Sequence, residues 1–149
     1  MSSVETKQKQ QQNVVSGEFR FLGKGVTEFQ GFDTFPTPNN VESVTMTSDE
    51  VTALCPITGQ PDWYTVTISY VPRKAEDGGL CLESKSLKLY LQSYRNEGLF
   101  CEAFAGKIAD DVFAALGPVS VVVTVDQKPR GGIGIVAKAQ KSAQSEERS

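Results

Sequence analysis

Two stretches of strict alternation frame what this chain can fold into. In Tyr64-Thr65-Val66-Thr67-Ile68-Ser69-Tyr70, apolar residues alternate with hydroxyl residues, the period of a strand with one buried face. Val119, Val121, Val123 and Val125 alternate with Ser120, Val122, Thr124 and Asp126 in the same way. Residues 41–46 and 133–136 are weaker strand candidates. Between the two strong strands the period changes. Leu87, Tyr90, Leu91 and Tyr94 fall at i, i+3, i+4 and i+7, the apolar stripe of a helix, with Gly98 at a helix stop. Phe100, Phe104, Ile108, Val112 and Leu116 form a second stripe at steps of four. The order strand, strand, helix, helix, strand, strand predicts an α+β domain, an antiparallel sheet with two helices on one face. Such a sheet is open at both edges, and ring-like pairing of edges between copies would cover them.

A length of 149 residues suits one domain. Residues 1–16 are polar and Gln-rich, and residues 137–149 are rich in Ala, Lys, Ser and Glu. Both are expected to be disordered tails around a single folded unit at 17–136. No apolar run approaches the roughly 20 residues of a membrane span, and no secretory signal is visible. A cytoplasmic protein is expected, with Cys55, Cys81 and Cys101 as reduced thiols. The net charge of -3, with no basic cluster in the body of the chain, argues against direct nucleic-acid binding. The chain has no histidine, which excludes Ser-His and Cys-His pairs and removes the commonest zinc ligand. No metal site is expected. Chemistry must run on carboxylates, thiols, lysines or a borrowed cofactor.

The loop Leu54-Cys55-Pro56-Ile57-Thr58-Gly59-Gln60-Pro61-Asp62-Trp63 precedes the first strong strand. Two prolines and a glycine fix its path. They hold a thiol and a carboxylate where covalent attack and proton delivery can follow one another. Residue types alone favour the plainer reading, Cys55 as a small buried hydrophobe and Asp62 as a turn former. In Glu83-Ser84-Lys85-Ser86-Leu87-Lys88-Leu89-Tyr90, Ser84 can cap a helix. Lys85 and Lys88 then share a face, either simply solvated or holding a dinucleotide phosphate. Arg130 sits in the turn Pro129-Arg130-Gly131-Gly132, either an ordinary hairpin turn or a phosphate contact. Glu102 stands where a helix dipole favours a carboxylate and where a guanine-like edge can be gripped. No Gly-x-Gly-x-x-Gly fingerprint is present, so a nicotinamide cofactor would not be held in the Rossmann manner.

Taken together, these residues resemble the 7-cyano-7-deazaguanine reductases, the nitrile reductases of queuosine biosynthesis, in their short single-module form. The resemblance runs from about Phe32 to Gly132. It includes Thr34-Phe35-Pro36-Thr37-Pro38-Asn39, the Cys-Pro-x-Thr-Gly-Gln-Pro-Asp loop and Tyr94-Arg95-Asn96. Glu83 to Tyr90 matches the family's NADPH-associated motif at every position.

The resemblance implies the tunnelling fold, a deazaguanine substrate and NADPH as cofactor. Cys55 would form a covalent thioimide with the nitrile carbon, and Asp62 would donate the proton. Leu82, Glu83, Ser84, Cys101 and Glu102 would contact substrate, while Lys85, Lys88 and Arg130 would face the cofactor's phosphates. It also implies a homo-oligomer, a decamer of two pentamers, with sites between subunits. One departure stands out: family members usually carry histidine immediately before the substrate-binding glutamate, and here that position is Cys101, a weak hydrogen-bonding group. Two other readings follow: the related amidinotransferase acting on the same nitrile, and a catalytically idle base-binding oligomer. A protective Cys55–Cys101 disulfide is a further expectation.

Overall fold

The stretch Tyr64–Tyr70 forms the centre of a strand paired on both sides. A computed structural model describes residues 25–143; the tail expected at 1–16 lies outside them. In chain order the elements are β1 (Thr34–Pro36), β2 (Val44–Leu54), β3 (Pro61–Val71), a 3-10 turn (Ala75–Asp77), β4 (Leu80–Leu82), α1 (Ser84–Gln92), α2 (Cys101–Leu116), β5 (Ser120–Arg130) and β6 (Ile133–Ser142). Strands β2, β3, β5 and β6 form a four-stranded antiparallel sheet in that order. A small antiparallel pair, β1 with β4, stands beside it.

The alternation decides which side the helices cover. Tyr64, Val66, Ile68 and Tyr70 of β3 and Val121, Val123 and Val125 of β5 are all buried, while Thr65, Thr67 and Ser69 lie on the opposite face. Phe104, Ile108, Val112 and Leu116 of α2 are buried in the same core cluster. Each such side chain removed from water contributes about 1.5–3 kcal/mol. Aromatic edges join the two helices, with Tyr94 at 4.7 Å from Phe104 and 5.3 Å from Tyr90 between ring centroids. None of the helices among the described residues is long and apolar enough to cross a membrane.

Several expected boundaries move. Helix α1 ends at Gln92, well before Gly98, because the Ser93 hydroxyl donates back to the Tyr90 carbonyl at 2.5 Å. Gly98 instead bridges Leu54, where a Cβ would meet the Pro56 backbone only at ordinary contact distance. Phe100, expected in the second stripe, caps α2 and is 55% exposed. The cap of α1 is Glu83, not Ser84: its carboxylate accepts from the backbone N–H groups of Lys85 and Ser86, both at 2.8 Å. The C-terminal boundary at 137 also gives way. Strand β6 runs to Ser142, in register with β5 from Ser142 opposite Ser120 to Ile133 opposite Arg130. Ala137 and Ala139 supply the half-buried positions; alanine and lysine rarely favour strands, so pairing with β5 is what recruits them.

Candidate active site

The Cys55 loop closes on itself. The Cys55 N–H donates to the Gln60 carbonyl and the Gly59 N–H to the Cys55 carbonyl, both at 2.8 Å. Gly59 takes a left-handed φ of 70°, which other residues adopt only under strain. The thiol is half-buried. Hydrogen bonding from the Thr58 hydroxyl, then from the Thr58 and Ile57 backbone, pulls its pKa below the ordinary 9.0; burial and the nearby Asp62 charge oppose this. Bonds to the anion favour the thiolate, the nucleophilic form.

Asp62 is the second residue of β3 and is turned into the buried face, opposite Ala53 of β2. Arg130, the last residue of β5, reaches back across the sheet to it. Its Nη2 lies 2.5 Å from the Asp62 Oδ1. The same nitrogen donates to the Pro61 carbonyl at 2.8 Å and the Gln60 carbonyl at 3.2 Å, and Nη1 donates to the Thr58 hydroxyl at 3.2 Å. Arg130, expected at cofactor phosphates, is thus engaged with the nucleophile loop and its carboxylate.

The start of α2 joins the same end of the sheet. The Leu54 N–H donates to the Glu97 carbonyl at 2.9 Å and the Leu99 N–H to the Leu54 carbonyl at 3.2 Å, which holds the approach to α2 against the root of the Cys55 loop. Glu102 lies exposed in the first turn. Cys101 is buried, its thiol donating to the Val125 carbonyl at 3.5 Å, and burial pushes its pKa up. Cys55 and Cys101 are both free thiols.

The remaining expected residues sit elsewhere. The Leu82 N–H donates to the Tyr70 hydroxyl at 2.9 Å. Tyr70 stands eight residues beyond Asp62 on β3, roughly 26 Å at about 3.3 Å per residue. Leu82 therefore lies towards the opposite end of the sheet from Cys55, whereas Ser84 lies over its middle, beside Val66 and Ile68. Lys85 and Lys88 are exposed on α1 and form no ion pair among the described residues. Ser84 and Lys88 line a groove of about 290 Å³ between α1 and β2, with Ser48 and Glu50 on its far wall.

Comparison with known proteins gives this geometry a family. The family described as "QueF-like protein" matches residues 61–146. A protein of Frankia casuarinae named NADPH-dependent 7-cyano-7-deazaguanine reductase is 46% identical over 110 residues, covering 74% of this chain and 84% of the relative. One of the same name from Elusimicrobium minutum is 51% identical over 94 residues, covering 62% and 67%. The fold resembles the crystal structure of an archaeosine synthase QueF-Like in the apo form, with TM-score 0.62 and 26% identity, covering 69% of this chain and 96% of that one. The architecture is the α+β tunnelling fold that the resemblance implied. The chain belongs to the family of NADPH-dependent 7-cyano-7-deazaguanine reductases.

Proposed function

We propose that this protein reduces the nitrile of 7-cyano-7-deazaguanine to the aminomethyl group, a four-electron reduction driven by NADPH, in queuosine biosynthesis. The single observation that carries the site assignment is a thiol with lowered pKa on a closed loop, beside a buried carboxylate. A nitrile carbon accepts hydride poorly, whereas a protonated thioimide accepts it well, so covalent attack divides a hard step into easier ones. The Cys55 sulfur adds to the nitrile carbon; Asp62 takes the thiol proton and returns it to nitrogen. Arg130 keeps loop and carboxylate in register, and Glu102 grips the guanine-like edge. NADPH, when bound, would supply the two hydrides; after the first, the tetrahedral adduct breaks its carbon–sulfur bond and releases the Cys55 thiolate, leaving the imine that takes the second. Lys85 and Lys88, exposed and without an ion pair among the described residues, suit its phosphates, whereas Arg130 is already engaged.

Leu82, Glu83 and Ser84 reach the substrate from a second copy of the chain. The length of β3 separates Leu82 from Cys55 within one copy, and β2 and β6 leave two edges for pairing into rings. A decamer of two pentamers fits this reading, in the cytoplasm and without direct nucleic-acid contact. Mixed oligomers of Cys55→Ala and Glu83→Ala subunits should regain activity that neither variant shows alone. The amidinotransferase reading is weaker, because reductase-named relatives are 41–51% identical and the archaeosine synthase only 26%.

The deciding experiment mixes purified protein with 7-cyano-7-deazaguanine and NADPH and follows cofactor absorbance. Steady oxidation that Cys55→Ala abolishes is expected. No oxidation by the wild type would leave an idle base binder.

A further inference from the structure

We propose that Arg130 is a positioning residue for the nucleophile: its guanidinium fixes the Thr58 hydroxyl so that the O–H is aimed at the Cys55 sulfur. This rests on the reading of Cys55 as the attacking group. A threonine hydroxyl has one proton to give and two lone pairs to accept with. An exposed one such as Thr58 ordinarily turns between water and its neighbours. Here both lone pairs are met by donors that accept nothing in return. The Gln60 N–H donates to the Thr58 Oγ1 at 3.3 Å, and the Arg130 Nη1 donates to it at 3.2 Å. The O–H is left as the free end, and the Cys55 sulfur is the acceptor it meets. Hydrogen bonds from the Thr58 and Ile57 backbone reach the same sulfur, so the hydroxyl completes a nest of donors around the anion.

Gln60 belongs to the same loop as Thr58, whereas Arg130 reaches it from the end of β5. A guanidinium is a rigid planar fork. Its Nη2 is held by the Pro61 carbonyl at 2.8 Å, the Gln60 carbonyl at 3.2 Å and the Asp62 carboxylate, which fixes the direction of Nη1. The titratable and charged groups about the thiol are Asp62 and Tyr64 on β3, Arg130 on β5, and Glu97, Cys101 and Glu102 around the start of α2. The charge felt at the sulfur is that of Asp62, which opposes ionisation, while the Thr58 hydroxyl is the largest influence favouring it. The guanidinium thus favours the thiolate through a hydroxyl rather than by its own charge. During attack Asp62 takes the thiol proton, the Thr58 O–H keeps its own, and the sulfur gives its freed electron pair to the nitrile carbon. When the adduct later breaks its carbon–sulfur bond, the departing thiolate meets the same donor.

Iodoacetamide alkylation against pH reads Cys55 ionisation in the full chain without substrate, with Cys55 located by peptide mass. Four proteins are compared: wild type, Arg130→Ala, Thr58→Val and the double variant. Arg130→Ala should raise the midpoint, by no more than Thr58→Val does, without lowering the high-pH plateau. Alkylation at neutral pH should slow by about three- to tenfold, the loss of one ordinary hydrogen bond to the sulfur. In the Thr58→Val background the same substitution should add little. Thr58→Ser, which keeps the hydroxyl, should hold the wild-type midpoint and its dependence on Arg130. An equal Arg130→Ala shift in both backgrounds overturns the proposal, because Arg130 would then act by its charge or by uncovering Asp62. An unmoved midpoint overturns it too, as does a shift larger than that of Thr58→Val, which means the loop's backbone donors are lost as well. Where the stranded Asp62 charge unfolds Arg130→Ala, the four proteins are rebuilt on Asp62→Asn, and the same outcomes decide. If the midpoints move as stated yet 7-cyano-7-deazaguanine never adds to Cys55, the reductase reading fails and the positioning of the thiol stands.

Discussion

Replacing Arg130 with alanine separates two roles for one guanidinium. At the cofactor's phosphates, its loss would raise the KM for NADPH and leave thioimide formation intact. In the structure it pairs with Asp62, whose side chain is 8% exposed against 33% for Arg130, and it donates to Thr58, Gln60 and Pro61. Breaking a fully buried ion pair costs about 3–5 kcal/mol, because the stranded charge has no partner. Here a third of the arginine side chain already meets water, and water can follow it in, so about 2–3 kcal/mol is the expected loss. For a chain of this length that lowers Tm by about 6–12 °C. The loop also loses the donors that fix its path, and displacing a nucleophile by about 1 Å slows attack about 10²-fold. Differential scanning calorimetry reads the first effect, and intact-mass kinetics of thioimide formation without NADPH reads the second. Adding Arg130→Ala to Asp62→Asn should destabilise by at least about 1 kcal/mol less than adding it to the wild type, since the stranded charge is gone. An Arg130→Ala protein with wild-type Tm and attack rate, but a raised KM for NADPH, would refute the loop clamp and return the residue to the phosphates.

Thr58→Val removes the largest influence holding the Cys55 pKa down. The thiolate should then form only at higher pH, so the midpoint of iodoacetamide alkylation against pH moves upward; an unmoved midpoint would show that the Thr58 hydroxyl is not a partner. Glu83→Ala removes the acceptor of both backbone N–H bonds that cap α1 and should destabilise by about 1 kcal/mol in urea; no loss would mean that Ser84 caps after all. Cys101→His places an imidazole where a buried thiol packs between α2 and β5. Overpacking of this kind costs about 1–3 kcal/mol, visible as a lower Tm without a gain in NADPH oxidation. Cys101→Ala should leave peroxide sensitivity unchanged, because the Cys101 thiol faces the Val125 carbonyl; a change would revive the disulfide with Cys55.

What could be read from the chain, and what could not, divides along the range of the forces. Period-two and period-3.6 patterns report on neighbours a few residues apart, so β3, β5, α1 and α2 were visible in outline. Strand β6 was half missed because Ala137-Lys138-Ala139 has no apolar bulk; it exists because β5 offers unpaired carbonyls and N–H groups along its whole length. The β2 strand starts later and runs further than residues 41–46 because a bulge between Ser48 and Val51 breaks its alternation. Within the site, Cys55 and Asp62 were legible because one short loop carries both. Arg130 was not, since its partners lie some seventy positions upstream and its glycine-rich turn looks like any phosphate-binding one. The split between Cys55 and Leu82 is of the same kind. A shared motif set suggests one place, yet an eleven-residue strand is a ruler that keeps the two ends apart. The same ruler turns a single-chain motif list into an argument for a second subunit: on the proposed reading, Leu82 and Cys55 serve one small base, and within one chain the length of β3 keeps them apart.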